Sequence, residues 1–496
     1  MFGTDALLIG LDIGTSAVDA CAFSPHGGLV AQCTVALSTV YPRAGWAEQS
    51  PASWAGASLS ALRGLTERLG PRRRAVAALG LTGQCPSCAL VDADGKPVSP
   101  GLIYQDTRAS AEAAAIERLV GAGEIRRRTG MWPSHYYLAG KALWLGRHYP
   151  ELRRLCPWLL QPRDLVALTL TGSAATDETH AGCTGLYDLV ERAWARDWLE
   201  SLDLAWLRLP PVHAPSEMAG RITAGAAEKT GLPAGLPVAI GAADNFCGDL
   251  GMGALALGVL GDTSGTTTCL DLAIPRGELA WQGLPPNLGV YAHFLPHLLY
   301  LDAGLNATGA TVQWAARLLA GGDLLRLECL AASAAADPQA PLLLPYLGGG
   351  DRSDAAAMGS WHGLSLSHGP ERLALSVYEG VTFGLRELVD HFRAAGVRPE
   401  RACLAGGGSR SRLWNTLKAN VWNLPVRVAD SADATALGAA LLAGVASGLY
   451  RDFDHAVSSA VRPGYTIEPA PWAAQMYDDL YRRWLDCKQR YSGTPL

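Results

Sequence analysis

Short apolar runs of strand length, each closing on an acid, an amide or a pair of hydroxyls, set the rhythm of this chain. Leu7-Leu8-Ile9-Gly10-Leu11-Asp12-Ile13-Gly14-Thr15-Ser16 reads as a strand that meets an acid, a glycine and two hydroxyls, and residues 17–23 continue as a second strand. Together they predict a β-hairpin with Gly14, Thr15 and Ser16 at its tip. The pattern recurs at Leu260-Gly261-Asp262-Thr263-Ser264-Gly265-Thr266-Thr267-Thr268-Cys269-Leu270. Two such hairpins, one in each half, predict duplicated domains. Between them, residues 79–84 read as a strand ending at Gln84. Residues 101–106 read as another, ending at Tyr104 and Asp106 and followed by a helix over 109–120; residues 129–137 form a loop that carries Tyr136. Pro237-Val238-Ala239-Ile240 is a buried strand that runs through Gly241 and two alanines into Asp244 and Asn245, with a Gly- and Ala-rich helix over 248–258. Further on, 305–314 enters a helix, and 401–411 is a strand, the triplet Gly406-Gly407-Gly408 and a helix start. Residues 434–440 read as a close-packed helix, and 469–490 as a final one bearing Trp472, Tyr477, Tyr481 and Trp484.

With 496 residues the chain is too long for one hydrophobic core, so two large domains are expected. A hydrophobic share of 49% against 18% charged residues is that of a globular protein, and a formal charge of -5 argues against a dedicated nucleic-acid binder. The clusters at Arg72–Arg74 and Arg126–Arg128 are local and read as solvated helix ends. Eleven cysteines without regular spacing suit a reducing cytoplasm better than a disulfide framework, and Cys85 and Cys88, spaced as CxxC, have no second pair near them in sequence. Neither a signal peptide nor a membrane span is expected.

The hairpin tips suit phosphate, because glycine lets the backbone come close and outward N–H groups and hydroxyls donate hydrogen bonds. Asp12 beside the first tip is placed to hold Mg²⁺ through water. Three successive glycines at 406–408 let backbone lie flat against a ligand such as adenosine. Gln, Asp and Tyr at the strand ends of the first half are what a sugar or polyol site needs. Asp244, a carboxylate at the end of a buried strand among small residues, suits a general base, and equally suits a helix cap.

Taken in order, these segments resemble the FGGY carbohydrate kinases, and among them the xylulokinase-like members. The resemblance runs through Leu11-Asp12-Ile13-Gly14-Thr15-Ser16, Gly45-Trp46-Ala47-Glu48-Gln49-Ser50-Pro51, Gly80-Leu81-Thr82-Gly83-Gln84 and Asp106-Thr107-Arg108. It continues through residues 241–245, Gly265-Thr266, Pro345-Tyr346-Leu347, residues 362–368, Glu379-Gly380-Val381, residues 406–411 and Ala436-Leu437-Gly438-Ala439-Ala440.

The resemblance implies an α/β protein of two duplicated, actin-like (ribonuclease-H-type) domains. Residues 1–252 would carry the sugar site and the catalytic base, residues 253–496 the ATP site, with the ligand cleft between. It implies ATP-dependent, Mg²⁺-assisted phosphorylation of a small ketose or polyol by a cytoplasmic enzyme with no nucleic-acid or membrane partner; whether it pairs as a homodimer is left open. By position, Asp244 matches the base, and Gln84, Cys85, Tyr104, Asp106, Tyr136 and Asn245 fall on the substrate side. Gly14, Thr15, Ser16, Gly265, Thr266, Gly309, Gln313, Gly407, Gly408 and Ser411 fall on the nucleotide side, and Asp12 at the metal. Three departures stand out: Cys85-Pro86 where xylulokinases have Met-His and glycerol kinases Arg-Glu; Asp19 where a Lys or Arg is usual; and a loose version of the loop at 348–353. Asp19 and the altered hydroxyl loop also fit a sugar- or nucleotide-binding protein that keeps the fold with little turnover.

Overall fold

Two mixed sheets built to one plan carry the chain. They are seen in a computed structural model that describes residues 6–277, 283–334, 337, 339–349, 357–431 and 433–491. The first sheet comprises β1 (Leu7–Ile13), β2 (Ala17–Phe23), β3 (Leu29–Ala36), β4 (Val76–Gly83), β5 (Met218–Arg221) and β6 (Pro237–Ala243), in the order β5-β6-β4-β1-β2-β3. β1, β2 and β3 form an antiparallel meander, β4 and β6 run parallel to β1, and β5 closes the edge antiparallel. The second sheet comprises β7 (Val259–Ser264), β8 (Thr268–Pro275), β9 (Gly289–Ala292), β10 (Leu298–Leu305), β11 (Arg401–Ala405), β12 (Val426–Ala429) and β13 (Pro463–Ile467). Its order is β9-β10-β8-β7-β11-β12-β13, with a meander β7-β8-β10, parallel β11 and β12, and antiparallel β13. Strand for strand the second plan repeats the first, with β9 added outside. The duplication expected from the two hairpins is present.

Helices cover the sheets on both faces, which is why β1 and β6 are apolar almost throughout instead of alternating. α1 (Pro51–Leu69) buries Trp54, Leu62 and Leu65 against the first sheet. The halves meet through α2 (Asp244–Met252), which directly follows β6, and α6 (Ala434–Ala446) from the second half, which also lies on β1 and β4. The crossing is so close that a Cβ on Gly438 would fall 1.8 Å from the Cys247 carbonyl oxygen. Small residues are therefore required there, and α6 is the close-packed helix expected at 434–440.

Two boundaries differ from expectation. The helix expected over 248–258 starts at Asp244 and stops at Met252, because Gly253 turns left-handed with φ 75°. The strand expected over 101–106 is confined to Gly101–Leu102, because Asp106 folds back, its N–H donating to the Ile103 carbonyl. The last helix, α7 (Ala473–Tyr491), buries Tyr477, Tyr481 and Trp484, while Trp472 stays outside it and exposed. Of the loop at 348–353, residues 350–353 lie outside the described residues. Among the described residues no helix is long and apolar enough to cross a membrane.

Candidate active site

Two adjoining cavities open between the sheets. The larger, about 570 Å³, is bounded by Asp12, Asp244 and Asn245 from the first half, and by Ser264, Gly265, Gly406, Gly407, Arg410, Val428, Asp433 and Tyr465 from the second. The smaller, about 460 Å³, is bounded by Tyr104, Ser134, His135 and Tyr136 on one side and by Gly304, Asn306 and Gly348 on the other. Thr267, in the turn of the second hairpin, and Cys269, at the start of β8, line both.

Asp244 sits where β6 hands over to α2. Ala243 holds the helix-cap position, without a side-chain cap bond, and the Asp244 carboxylate accepts the Asn245 N–H at 2.9 Å. Asp244 is therefore the first residue of α2 and not its N-cap. Burial raises its carboxyl to about 6, held in check by that N–H and by the nearby His180. A buried polar set fixes the backbone that delivers it: Arg163 donates to the Ile240 carbonyl at 2.6 Å and to Asp177 at 2.8 Å, Asp177 accepts from Thr179, and Thr179 Oγ1 accepts from the Ala243 N–H at 2.9 Å. These residues come from a segment with no recognisable motif, and only their burial marks them.

The larger cavity carries three carboxylates against one guanidinium among the described residues that line it. Asp12 is pushed well above the usual carboxylate range by burial, then by Asp433, Asp244 and Asp19, and its Oδ1 is buried without a hydrogen-bond partner. Asp433, not singled out from the sequence, caps α6 by accepting the Ala436 N–H, and its own carboxyl is raised by burial. Asp19 stands directly opposite Asp12 in the hairpin register and accepts from Thr34 at 2.5 Å and Gln32 at 3.3 Å. So the departure at 19 adds negative charge beside Asp12. Fully buried Lys418 lies behind the other hairpin, where it donates to Asp262 at 2.5 Å and Ser264 at 2.7 Å. Its sequence signal was a lysine interrupting the apolar stripe Trp414, Leu417, Val421 of α5 (Arg412–Trp422).

The residues expected on the nucleotide side separate. Gly265 and Gly407 line the larger cavity, and an added Cβ on Gly407 would meet no protein atom within 4 Å. Gly408 packs instead against Ser264 and the Trp414 ring, and Ser411 is spent as the cap of α5, accepting from Trp414 N–H. Gly309, at the start of α3 (Thr308–Leu319), backs the second hairpin: a Cβ there would lie 2.1 Å from the Gly265 carbonyl oxygen. Thr266 accepts the Ala310 N–H through its carbonyl, and Gln313 is exposed further along α3. Neither lines the cavity.

Two of the expected sugar contacts stand behind the cleft. Gln84 is 1% exposed; it donates to the Gly14 carbonyl at 3.2 Å and to Gln49 at 2.9 Å, and accepts from Ser87 at 3.1 Å and weakly from Thr15 at 3.4 Å. Gln49 in turn donates to the Thr15 carbonyl at 2.7 Å and accepts from Trp54. The set pins the first hairpin tip, Gly14 to Ser16. Asp106 is buried on Arg108, which also reaches Glu48 and lies 3.6 Å over the Trp46 ring. The other candidates converge. Tyr104 and Tyr136 meet edge to face in the smaller cavity, and Tyr104 lies close enough to Asp244 that, after burial, the carboxylate helps to raise its phenol. The Cys85 thiol is held up by a 3.5 Å contact from Cys183 and by burial, and also feels Asp244 and Cys269. His135, Ser134 and Asn306 complete the wall without having been singled out.

Known proteins share this fold. Residues 7–251 match the N-terminal domain, and residues 262–447 the C-terminal domain, of the FGGY family of carbohydrate kinases. The chain is 30% identical over 446 residues to the xylulose kinase of Escherichia coli, covering 89% of this chain and 90% of that one. It is equally 30% identical over 438 residues to the autoinducer-2 kinase of Yersinia enterocolitica, covering 83% and 80%. The crystal structure of xylulose kinase from Rhodospirillum rubrum superposes with a TM-score of 0.88 at 30% identity, over 98% of each chain.

Proposed function

The chain belongs to the FGGY family of carbohydrate kinases, and on that premise we propose that it transfers the γ-phosphoryl group of ATP to a hydroxyl of a small ketose or linear polyol, with Asp244 as general base. The observation that carries this reading is the placement of Asp244. It lies at the junction of the halves, within electrostatic reach of Tyr104 on the sugar side, and lines the cavity that the second hairpin and Gly407 enclose. A carboxyl raised to about 6 is ionised at neutral pH yet basic enough to take a hydroxyl proton as the oxygen attacks phosphorus.

The sugar would lie against Tyr104 and Tyr136 in the smaller cavity, with His135 there and Asn245 on the adjoining wall of the larger one offering hydrogen bonds to its hydroxyls. The nucleoside would lie along Gly406 and Gly407 between Val428 and Tyr465, and the phosphates at the hairpin tips pinned by Gln84 and backed by Lys418. The surplus of carboxylate and the unpartnered Asp12 Oδ1 fit a hard divalent cation such as Mg²⁺. Among the described residues no cluster of three or more His, Cys, Asp or Glu is arranged to hold a metal by itself, so Asp12 and Asp433 would hold the water shell of an ion that arrives on the nucleotide. That ion would supply neutralisation of the charge on the phosphates.

Both xylulose and autoinducer-2 kinases stand at 30% identity, so the relatives leave the sugar open. ATP consumption measured with D-xylulose, D-ribulose, L-ribulose, L-xylulose, a heptulose, glycerol and erythritol tests the proposal. Turnover above background with one or more is expected; none with any would overturn the proposed substrate class.

A further inference from the structure

Asn245 enters the cleft with one side of its amide already committed. Its Nδ2 lies 3.2 Å from Oδ1 and 3.2 Å from Oδ2 of Asp271. The amide is planar, with oxygen and nitrogen on opposite sides of Cγ, and a carboxylate partner assigns the nitrogen to itself. With its nitrogen so engaged and Asn245 lining the larger cavity beside Asp244, the Asn245 oxygen is the group left to accept from a ligand there. Asp271 lies on β8, the return strand of the second hairpin; it is 1% exposed and lines neither cavity, so it meets Asn245 and not a bound sugar.

Its surroundings make it an expensive residue to keep. Asp302 stands directly opposite on β10 and shares a hydrogen bond with it, and Asp249 on α2 is close by. The three carboxyls are 1%, 2% and 0% exposed. Burial, then Asp249 and Asp302, pushes the Asp271 carboxyl well above its ordinary range. Lys418, which lies under the same hairpin, is bonded to Asp262 and Ser264. Burying three carboxyls together away from water costs stability, whether a charge is kept or a proton is taken up to remove it, and an amide at 271 relieves part of that cost. A residue kept for stability alone would have the opposite sign.

We infer that Asp271 is a positioning residue for phosphoryl transfer: through Asn245 it aims a hydrogen-bond acceptor at the sugar hydroxyl beside Asp244. The inference rests on the reading of Asp244 and Asn245 as the sugar-side machinery. It also makes one hydrogen bond the link between the nucleotide hairpin of the second sheet and the helix that carries the base.

The test uses the full chain with Asp271→Asn, with Asp271→Ser, whose shorter side chain falls short of Asn245, and with Asp249→Asn as a control that removes a neighbouring carboxylate. Melting temperature and steady-state kinetics for both substrates are measured. Asp271→Ser, which loses the acceptor, is expected to lower kcat/KM for the sugar by about tenfold or more, the worth of one well-placed hydrogen bond to a reacting group, while Asp271→Asn keeps an oxygen that can accept the same bond and should lose less. KM for ATP should stay within about twofold, and Asp271→Asn should melt no lower than the wild type. Asp249→Asn should melt no lower and keep its kinetics. The inference is overturned if Asp271→Ser keeps wild-type kcat/KM for the sugar, or if it loses both substrates together with melting temperature. Asp244→Asn in the same assay separates the two readings: if it is crippled while Asp271→Ser is normal, the base stands and this inference fails. If it retains full turnover, the base assignment fails and takes this inference with it.

Discussion

Gln84 Nε2, at the end of β4, donates to the carbonyl oxygen of Gly14 at the tip of the first hairpin, 3.2 Å away. The same nitrogen reaches Gln49 at 2.9 Å, so one buried amide ties the hairpin tip to the segment before α1. Gln84→Leu would leave the Gly14 carbonyl and Gln49 without this donor and cost ~1–3 kcal/mol in stability. Because the tip loosens, KM for ATP should rise severalfold while KM for the sugar moves little. Denaturant titration and two-substrate kinetics check this, and a rise confined to the sugar KM would restore Gln84 as a sugar contact.

Asp244→Asn should keep the fold and ATP binding and lower kcat by roughly 10²–10⁴, the usual worth of a general base. A variant that keeps more than a tenth of wild-type turnover would count against Asp244 as the base.

The raised carboxyl of Asp244 also fixes two signs. With Asp244 as the proposed base its ionised form does the work, so kcat/KM should climb with pH through about 6 and level off above it. For stability, a carboxyl raised above its unfolded value of 3.8 favours the folded state only while protonated; that contribution is complete below 3.8 and lost as pH rises through about 6. Asp244→Asn has no charge to bury, so at alkaline pH it should be more stable than the wild type by ~1–3 kcal/mol, the gap closing in acid. Unfolding curves across the range measure this, and a gap of constant size would show that the charge is not its cause.

Gly407→Val should fold normally, because an added Cβ there meets no protein atom within 4 Å and Gly407 lines the larger cavity. It should weaken ATP and spare the sugar. Calorimetric titration of each ligand decides between this outcome and an equal loss of both, which would remove Gly407 from the nucleotide site.

Cys85 brings a small thiol, already in contact with Cys183 at 3.5 Å, to the side of the site where Asp244 is felt. A site that hydrogen-bonds a particular hydroxyl discriminates strongly, while one that only leaves room discriminates weakly. The expected result is a substrate profile in which D-xylulose leads the other ketoses by less than about a hundredfold. A larger lead in side-by-side phosphorylation rates would mean that other residues, His135 or Asn306 among them, supply the missing contacts.

The sequence by itself determined the two hairpins, the strand that ends at Asp244, the triple-glycine turn and the close-packed helix at 434–440. Each is local: a strand with a tight polar turn, or a helix of small residues, is written in consecutive positions. The ordered series of motifs placed the chain in its family for the same reason. The tertiary structure decided which polar residues line a cavity and which face one another. Gln84 and Asp106 look alike in sequence to Tyr104 and Asn245, yet the first two are consumed by Gly14, Gln49 and Arg108, while the second two line a cavity. Ser411 is taken by a helix end and Gly408 by the Trp414 ring. Lys418, Asp433, Asp271 and the Arg163–Asp177–Thr179 set gave no motif at all. A buried polar group must find a partner, and that partner is set by which distant strands and helices pack together; Lys418 meets a residue 156 positions away in Asp262, and Asn245 one 26 away in Asp271.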